Sequence, residues 1–428
     1  MSSQGVRRTT GWPDMSASGS ASRSGVDGSG DRITVIDALR GTALVGLFLL
    51  HTIEHFDFLS DAAVPPAWLK PFDTAAHDTA FFLFAGKAYG IFALMFGISF
   101  SLILGSWSRR AGSTSARFLW RLAVLFAIGY LHGLIYCGDI LTILAVMGAP
   151  LVLLHRLGDR VLLAQAAVLL IQPPTLWQVA GLLSGTAPTP AVPVHWTVYE
   201  GLMPIYANGG FWDVVRANLW QGVLARTFWT IETGRYMQMM GLFLVGLVVG
   251  RNHVLERASQ HRRLLQGILA SGALAFAVLY PLKRLAEGAG LPAMTAYEVT
   301  NLASAYCGLA QMAMWASGFV LLYPRLQALA PLRALASFGR MSLTCYVTQA
   351  LVFVPLFYGY GLGLYRYMGP FYSVASGMAF VILQCAVAHW WLRRYRYGPL
   401  EWVWRAATFR TLSLPLRHTP KAALADAA

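Results

Sequence analysis

The sequence first becomes strongly apolar at residues 32–55, RITVIDALRGTALVGLFLLHTIEH. A helix crosses about 30 Å of hydrocarbon with roughly 20 apolar residues, which is close to the length of this stretch. The same stretch carries ionisable side chains at Asp37, Arg40, His51, Glu54 and His55. Because such groups are costly inside a bilayer, they mark a functional site by default. This segment therefore predicts a membrane-spanning helix that also contributes to a site.

The composition of the whole chain indicates a membrane protein. Of its 428 residues, 56% are hydrophobic and 12% are charged, whereas a soluble domain carries about 25% charged residues. These values exclude an ordinary cytosolic enzyme, a disordered protein and a nucleic-acid-binding module. The predicted fold class is all-α, a polytopic α-helical integral membrane protein whose first partner is the lipid bilayer.

Apolar runs predict about ten transmembrane helices. They lie near residues 36–58, 79–104, 118–136, 139–155, 161–183, 235–250, 264–282, 299–323, 341–358 and 371–392. The predicted organisation is a disordered cytoplasmic tail (1–31), one membrane domain (32–410) with an interfacial or periplasmic segment (195–232), and a second cytoplasmic tail (411–428). If both termini are cytoplasmic, most of the 33 Lys and Arg residues lie inside, as the positive-inside rule requires. We therefore expect a multi-pass protein of the bacterial plasma (inner) membrane, N-in and C-in.

The polar residues of the first span form a stripe. Asp37 and Arg40 are three residues apart on one helical face and can pair. His51, Glu54 and His55 share a face further along. Arg40 and His51 are separated by about 16.5 Å of helical rise, just over three turns. The stripe is predicted to run from the inner leaflet to the outer one.

His51 has more than one interpretation. As a neutral imidazole it would be a general base that deprotonates an acceptor hydroxyl or amine, with Glu54 holding its tautomer. His51-Thr52-Ile53-Glu54-His55 also matches the H-x-x-E-H pattern of zinc proteases, but a third ligand at a suitable spacing is missing. A structural contact between helices is the remaining alternative. The general base is the leading interpretation, and we expect no bound metal or cofactor.

Three polar residues in later spans extend the candidate site. Lys87 lies in the most aromatic part of the second span, and we expect it to have a buried partner, with Glu54 as the candidate. His132 has small neighbours that would let another helix or a substrate approach, although a packing histidine fits the same pattern. Arg340 is a further cation within a span. We assign Lys87, His55, His132 and Arg340 to substrate binding.

Several motifs resemble one family. Residues 32–44 (RITVIDALRGTAL) resemble the opening of the YeiB-like membrane proteins, a bacterial group known as domain of unknown function 418. Residues 236–246 (YMQMMGLFLVG) resemble its central block. Residues 338–349 (FGRMSLTCYVTQ) and 398–405 (GPLEWVWR) resemble its C-terminal part.

The resemblance implies a relation to the transmembrane acyltransferases. That superfamily includes the heparan-alpha-glucosaminide N-acetyltransferases and the O-acyltransferases of bacterial polysaccharides, which share an Asp-x-x-Arg-Gly opening. In the O-acyltransferases a functional His follows the opening Arg after ten residues, and Arg40 and His51 have that spacing. Typical YeiB-like sequences have Asn where this chain has His51. The departure favours an acyltransferase-like site.

We therefore expect a membrane-embedded acyltransferase that moves an acyl group, with acyl-CoA as donor, to a cell-envelope lipid, glycan or small molecule. Arg40 would contact the donor's phosphates, since its guanidinium matches phosphate geometry. His51 would be the base, and Asp37 and Glu54 would complete the catalytic group. The alternatives are a non-enzymatic transporter or channel with a polar path, and a metal-dependent hydrolase that uses His51, Glu54 and His55.

The predicted topology can be tested with reporter fusions at Ser60 and Gly112. The first fusion should report the periplasm and the second the cytoplasm, because arginines concentrate in the loops assigned to the inside. If both fusions report the same side, the predicted orientation is wrong.

Overall fold

The computed structural model describes residues 29–56, 66–108 and 114–417. The expectations for residues 1–28, 418–428 and the loops around Ser60 and Gly112 lie outside those ranges, as does the side chain of His55. Within them the chain is helical without a named strand, so the all-α fold class is confirmed. The helices are α1 Ser29–His51, α2 Lys70–Phe84, α3 Ala88–Ser108, α4 Thr114–Gly133, α5 Leu141–Gly148, α6 Leu151–Leu154, α7 Asp159–Ile171, α8 Pro173–Leu183, α9 Val194–Asn208, α10 Phe211–Glu232, α11 Arg235–Arg251, α12 Arg262–Glu287, α13 Ala293–Leu326, α14 Ala330–Arg340, α15 Ser342–Phe357, α16 Pro370–Leu392 and α17 Pro399–Phe409.

The protein is a multi-pass membrane protein, but the count of about ten spans is not confirmed. Six stretches of the described chain are long and apolar enough to cross a bilayer, and a seventh results if α14 and α15, bent by 85°, count as one span. One predicted span, 139–155, is divided into α5 and α6 because Pro150 lacks an N–H and interrupts the helix. Apolar length in the sequence does not detect such breaks.

Helices α3 and α11 cross at unusually short range because both carry glycine at the crossing. A Cβ atom added at Gly97 would contact the Phe243 carbonyl oxygen and lie 2.9 Å from Leu247 N. A Cβ atom added at Gly246 would contact the Leu94 carbonyl oxygen. Small residues at such crossings let two backbones approach within a membrane. This crossing lies in the larger of the two buried apolar clusters.

A second glycine crossing joins α1 to α14. A Cβ atom at Gly339 would lie 2.7 Å from Gly41 N, and one at Gly41 would contact the Leu335 carbonyl oxygen. Gly41 directly follows Arg40, and Gly339 directly precedes Arg340. The close approach therefore brings two arginines, distant in sequence, to the same region of the fold.

The α3–α11 crossing predicts unequal effects of two alanine substitutions in one helix. Gly97→Ala should destabilise the protein by about 1–3 kcal/mol, because overpacking costs that much in a tight contact. Gly105→Ala should be neutral or stabilising by up to about 1 kcal/mol, since its added Cβ meets no atom within 4 Å and alanine favours helix. Thermal unfolding of the purified variants in detergent measures both effects. Equal unfolding temperatures for Gly97→Ala and Gly105→Ala would contradict a tight contact between α3 and α11 at Gly97.

Candidate functional site

A cavity of about 710 Å³ lies between α1, α3, α4, α5, α15 and α17. One part of its wall is apolar and is formed mainly by α3, α4 and α5. The apolar residues include Phe92, Met95, Phe96, Leu122, Leu125, Leu141 and Leu144. Another part of the wall is strongly basic. Its arginines are Arg40, Arg121, Arg340, Arg396 and Arg405.

Arg40 is held in a fixed orientation within this wall. Its Nη1 donates to Asp37 Oδ1 at 3.2 Å and its Nη2 donates to Ser99 Oγ at 2.9 Å. The predicted pair on the first helix is therefore present. Arg340, at the end of α14, donates from Nη2 to the Arg396 carbonyl oxygen at 3.4 Å. Three of the sequence-predicted residues, Asp37, Arg40 and Arg340, thus meet at one cavity.

The cavity wall carries more positive than negative charge. Besides the five arginines it contains three carboxylates, of Asp37, Glu256 and Glu401. Asp37 pairs with Arg40, and Glu256 accepts a hydrogen bond from His253 Nδ1. Among the described residues, no carboxylate forms an ion pair with the other four arginines. Such a surface favours an anionic ligand.

Aromatic side chains of α17 and the preceding turn hold two of these arginines. The Arg121 guanidinium lies 3.5 Å from the centroid of the Trp404 ring, and that of Arg405 lies 5.1 Å from the Tyr397 ring. The Trp404 Nε1–H also donates to the Arg121 carbonyl oxygen at 2.9 Å. Stacking holds the guanidinium plane and leaves its N–H edge able to bind phosphate or carboxylate.

Glu401 connects α17 to the first turn of α15. Its Oε1 accepts from the backbone N–H of Leu343 at 2.7 Å and of Thr344 at 3.1 Å, and its Oε2 accepts from Thr344 Oγ1 at 2.6 Å. Burial raises the pKa of the Glu401 carboxyl, although the hydrogen bonds from Thr344 and Leu343 oppose the rise. Because the Glu401 carboxylate accepts from the N–H groups at the start of α15, these groups are not available to an anionic ligand. The donors left for such a ligand in the cavity wall are those of the arginines.

His51 lies at the end of α1, beside one tyrosine of the cavity wall. The helix continues as a π-helical turn, Thr52–Phe56, a distortion that is frequent at functional sites. The His51 ring is buried, with its centroid 5.5 Å from that of Tyr136 and 6.4 Å from that of Tyr346. Tyr346 lines the cavity, whereas His51 does not.

His132 lies beside the same two tyrosines. Its ring centroid is 5.0 Å from that of Tyr346 and 5.6 Å from that of Tyr136. Its Nδ1–H donates to Asp139 Oδ1 at 2.9 Å. Sequence patterns alone do not pair His132 with Asp139. The available signal was the short turn after α4, which returns the chain so that Asp139 comes back alongside His132.

The remaining predicted site residues lie elsewhere. The expected Glu54–Lys87 pair is wrong, because Lys87 Nζ donates to the Phe81 carbonyl oxygen at 3.2 Å. Lys87 follows the end of α2 at a sharp turn, where Gly86 has φ of +79°. The Phe81 carbonyl oxygen also accepts from the Ala85 N–H at 3.1 Å, and a cation at this helix end interacts favourably with the helix dipole. Among the described residues, Arg235 is a cation that interacts electrostatically with Glu54.

The hydrolase alternative depends on a residue whose side chain is not described. In the described part of the chain, no three His, Cys, Asp or Glu side chains are grouped so that they could hold a metal ion. The backbone of His55 belongs to the π-helical turn.

Comparison with known proteins identifies uncharacterised relatives. Residues 249–411 match a family model described as "Protein of unknown function (DUF418)". The uncharacterized protein YxaH of Bacillus subtilis is 26% identical over 401 residues, covering 89% of this chain and 94% of the relative. The uncharacterized protein YeiB of Escherichia coli is 27% identical over 426 residues, covering 91% of this chain and 100% of the relative. No solved structure matches the chain.

The Glu401 contacts predict a pH-dependent difference between two variants. Because the folded-state pKa of Glu401 is raised, its contribution to stability is greatest below the unfolded pKa and is lost as pH rises through the folded pKa. Glu401→Gln cannot ionise, so its unfolding temperature should rise relative to that of wild type as the pH increases above 4.5, the ordinary pKa of a glutamate. Glu401→Ala should cost about 1–3 kcal/mol throughout this range, because it leaves buried N–H groups unpaired. A constant difference between Gln variant and wild type would contradict this assignment.

Proposed function

Given that the chain belongs to the YeiB-like DUF418 family of membrane proteins, we propose that it is a membrane-embedded acyltransferase that moves an acyl group from acyl-CoA to a cell-envelope acceptor. The observation that carries the proposal is the cavity, which joins a wall of arginines to an apolar wall. An acyl-CoA has the matching chemistry, since its phosphates are anionic and its acyl chain is apolar. A simple anion would not need the apolar wall.

The donor would be bound at both ends. Arg40 and Arg340 lie together at the glycine crossing of α1 and α14, and a guanidinium can donate two parallel hydrogen bonds to one phosphate. Arg121 and Arg405, stacked on aromatic rings, would add charge on the side of α17. The acyl chain would lie against the leucines and phenylalanines of α3 and α4. Asp37 would orient Arg40 through their ion pair.

The transfer needs a base close to the thioester. The acceptor's hydroxyl or amine loses its proton to the base as its oxygen or nitrogen attacks the thioester carbonyl carbon. The new C–O or C–N bond forms, the C–S bond breaks, and the proton passes to the leaving thiolate. Two imidazoles contact Tyr346 in the cavity wall, His51 and His132, and His51 has the spacing from Arg40 that the resemblance implies.

The proposed orientation fits a donor that comes from the cytoplasm and an acceptor that belongs to the envelope. With both termini in the cytoplasm, Arg40 and Arg340 lie towards the cytoplasmic face, where acyl-CoA is available. The acceptor would be a lipid, glycan or small molecule of the envelope. The bacterial plasma membrane is the proposed location.

A transporter or channel is the second candidate, because a polar cluster lies outside the cavity. Arg235 Nη1 donates to Tyr89 Oη at 2.7 Å and to Gln238 Oε1 at 3.0 Å, and its charge faces Glu54. Polar groups within a span often line a solute or proton path. Under this alternative, Glu54→Ala would abolish a solute flux while acyl transfer would be absent from the wild type.

The donor site predicts a binding defect in two arginine variants. Arg40→Lys and Arg340→Lys keep the charge but lose the two-pronged guanidinium, so each should weaken acyl-CoA binding roughly 10- to 100-fold, as expected for lost charge-assisted hydrogen bonds. Binding of radiolabelled acetyl-CoA and palmitoyl-CoA to the protein in proteoliposomes measures the effect. Arg284→Lys is the matched control, because Arg284 is exposed and pairs with Glu287. If the wild type binds neither acyl-CoA, or if all three variants bind like wild type, the proposal fails.

A further inference from the structure

The His132–Asp139 pair has the geometry of an oriented base. Asp139 Oδ1 accepts from His132 Nδ1 at 2.9 Å, and Oδ2 accepts from the Thr142 N–H and from Thr142 Oγ1, both at 2.9 Å. An ionised carboxylate can only accept, so the Nδ1 carries the hydrogen and the Nε2 carries the lone pair. A histidine held in this tautomer can accept a proton at Nε2.

The pair is buried, and none of the residues that the structure describes bonds to its basic atom. The side chains of His132 and Asp139 are 2% and 0% exposed. Among the described residues, His132 Nε2 has no hydrogen-bond partner. A buried polar atom without a partner costs about 1–3 kcal/mol, and in native structures it often has a catalytic role or a bound molecule.

Arg226 supplies a second buried polar atom without a partner among the described residues, and it lies against the next residue of α4. Arg226, from α10, is buried, and its Nη1 has no hydrogen-bond partner within the described ranges. A Cβ atom added at Gly133 would lie 2.7 Å from this Nη1, so the guanidinium lies directly against the residue after His132. The buried guanidinium of Arg226 therefore contacts the α4 residue that directly follows His132. Both observations indicate a site for a polar ligand.

The sequence of α4 explains how the pair is assembled. Gly129 precedes His132 by less than one turn, and a Cβ atom there would lie 2.7 Å from Leu141 Cβ and 3.1 Å from Asp139 Oδ2. Only a glycine lets the start of α5 approach α4 closely enough for Asp139 to reach the imidazole. Gly129 thus admits Asp139, and Gly133, one turn later on the same face of α4, admits Arg226.

Tyr346 links the pair to the cavity. Its hydroxyl donates to the Gly138 carbonyl oxygen at 3.3 Å and accepts from the Ile140 N–H at 3.2 Å. It therefore binds the backbone on both sides of Asp139, while its ring lines the cavity. The carboxylate that orients His132 is anchored to the wall of the proposed donor site.

We propose that His132 takes the proton of the acceptor and that Asp139 is its positioning residue. This inference rests on the proposed acyl transfer. The acceptor's O–H or N–H proton moves to His132 Nε2 as the oxygen or nitrogen attacks the thioester carbon. When the C–S bond breaks, the imidazolium returns this proton to the leaving thiolate. This assigns to His132 the role that the sequence alone assigned to His51.

The test separates donor binding from the chemical step. The full-length protein is reconstituted with the native host's extracted envelope lipids as acceptors, and radiolabelled acetyl-CoA or palmitoyl-CoA is the donor. His132→Gln and Asp139→Asn should lower the transfer rate by about 10²–10⁴-fold, the usual effect of losing a general base. For both variants, donor affinity should stay within about threefold of wild type, because the base acts in the chemical step.

His195→Gln is the matched control. His195 is also buried, and its Nδ1 bonds to the carboxylate of Glu232 at 2.6 Å. Neither residue lines the cavity. The control variant should transfer like wild type. The inference is overturned if His132→Gln keeps its rate, or if His132→Gln and His195→Gln lose rate and donor affinity together, which indicates a purely structural role. If the wild type transfers no acyl group from either donor, the proposed function itself fails.

Discussion

The close crossing of α1 and α14 is the contact on which the site depends. Gly41 and Gly339 allow the two backbones to touch, and the arginines beside them, Arg40 and Arg340, are thereby brought to one cavity wall. The Arg40 side chain is only 21% exposed, so the cost of burying its charge must be offset by partners within the protein or by a ligand. Asp37 and Ser99 satisfy part of the Arg40 guanidinium. The remaining positive charge of the cavity wall favours the binding of an anionic ligand.

Helix α17 completes this arrangement from the C-terminal end of the chain. Glu401 binds the first turn of α15, and Trp404 stacks on Arg121 of α4. One short amphipathic helix therefore connects two helices that flank the cavity. It also keeps a carboxylate, that of Glu401, engaged with backbone N–H groups rather than with the arginines. The basic wall thus remains available although three carboxylates lie within it.

Tyr346 lies between the cavity and two buried histidines. On one side its ring belongs to the cavity, where the arginines would bind the anionic part of a donor. On the other side it lies beside His51 and His132, and its hydroxyl holds the turn that carries Asp139. Binding and proton transfer would then be separate functions of adjacent residues. Changes to the arginines are therefore expected to alter donor binding, whereas changes to His132 are expected to alter the transfer rate.

The sequence by itself determined the fold class, the membrane-spanning character and the Asp37–Arg40 pair, because composition, apolar length and helical periodicity are local properties. The tertiary structure decided the rest. Asp139 meets His132 only because the chain reverses after α4, and Tyr346 meets Gly138 across 208 residues of sequence. The expected Glu54–Lys87 pair failed for the same reason, since a turn at Gly86 directs Lys87 to a helix end. Periodicity states which residues share a face, but which faces meet depends on the packing of helices that are remote in sequence.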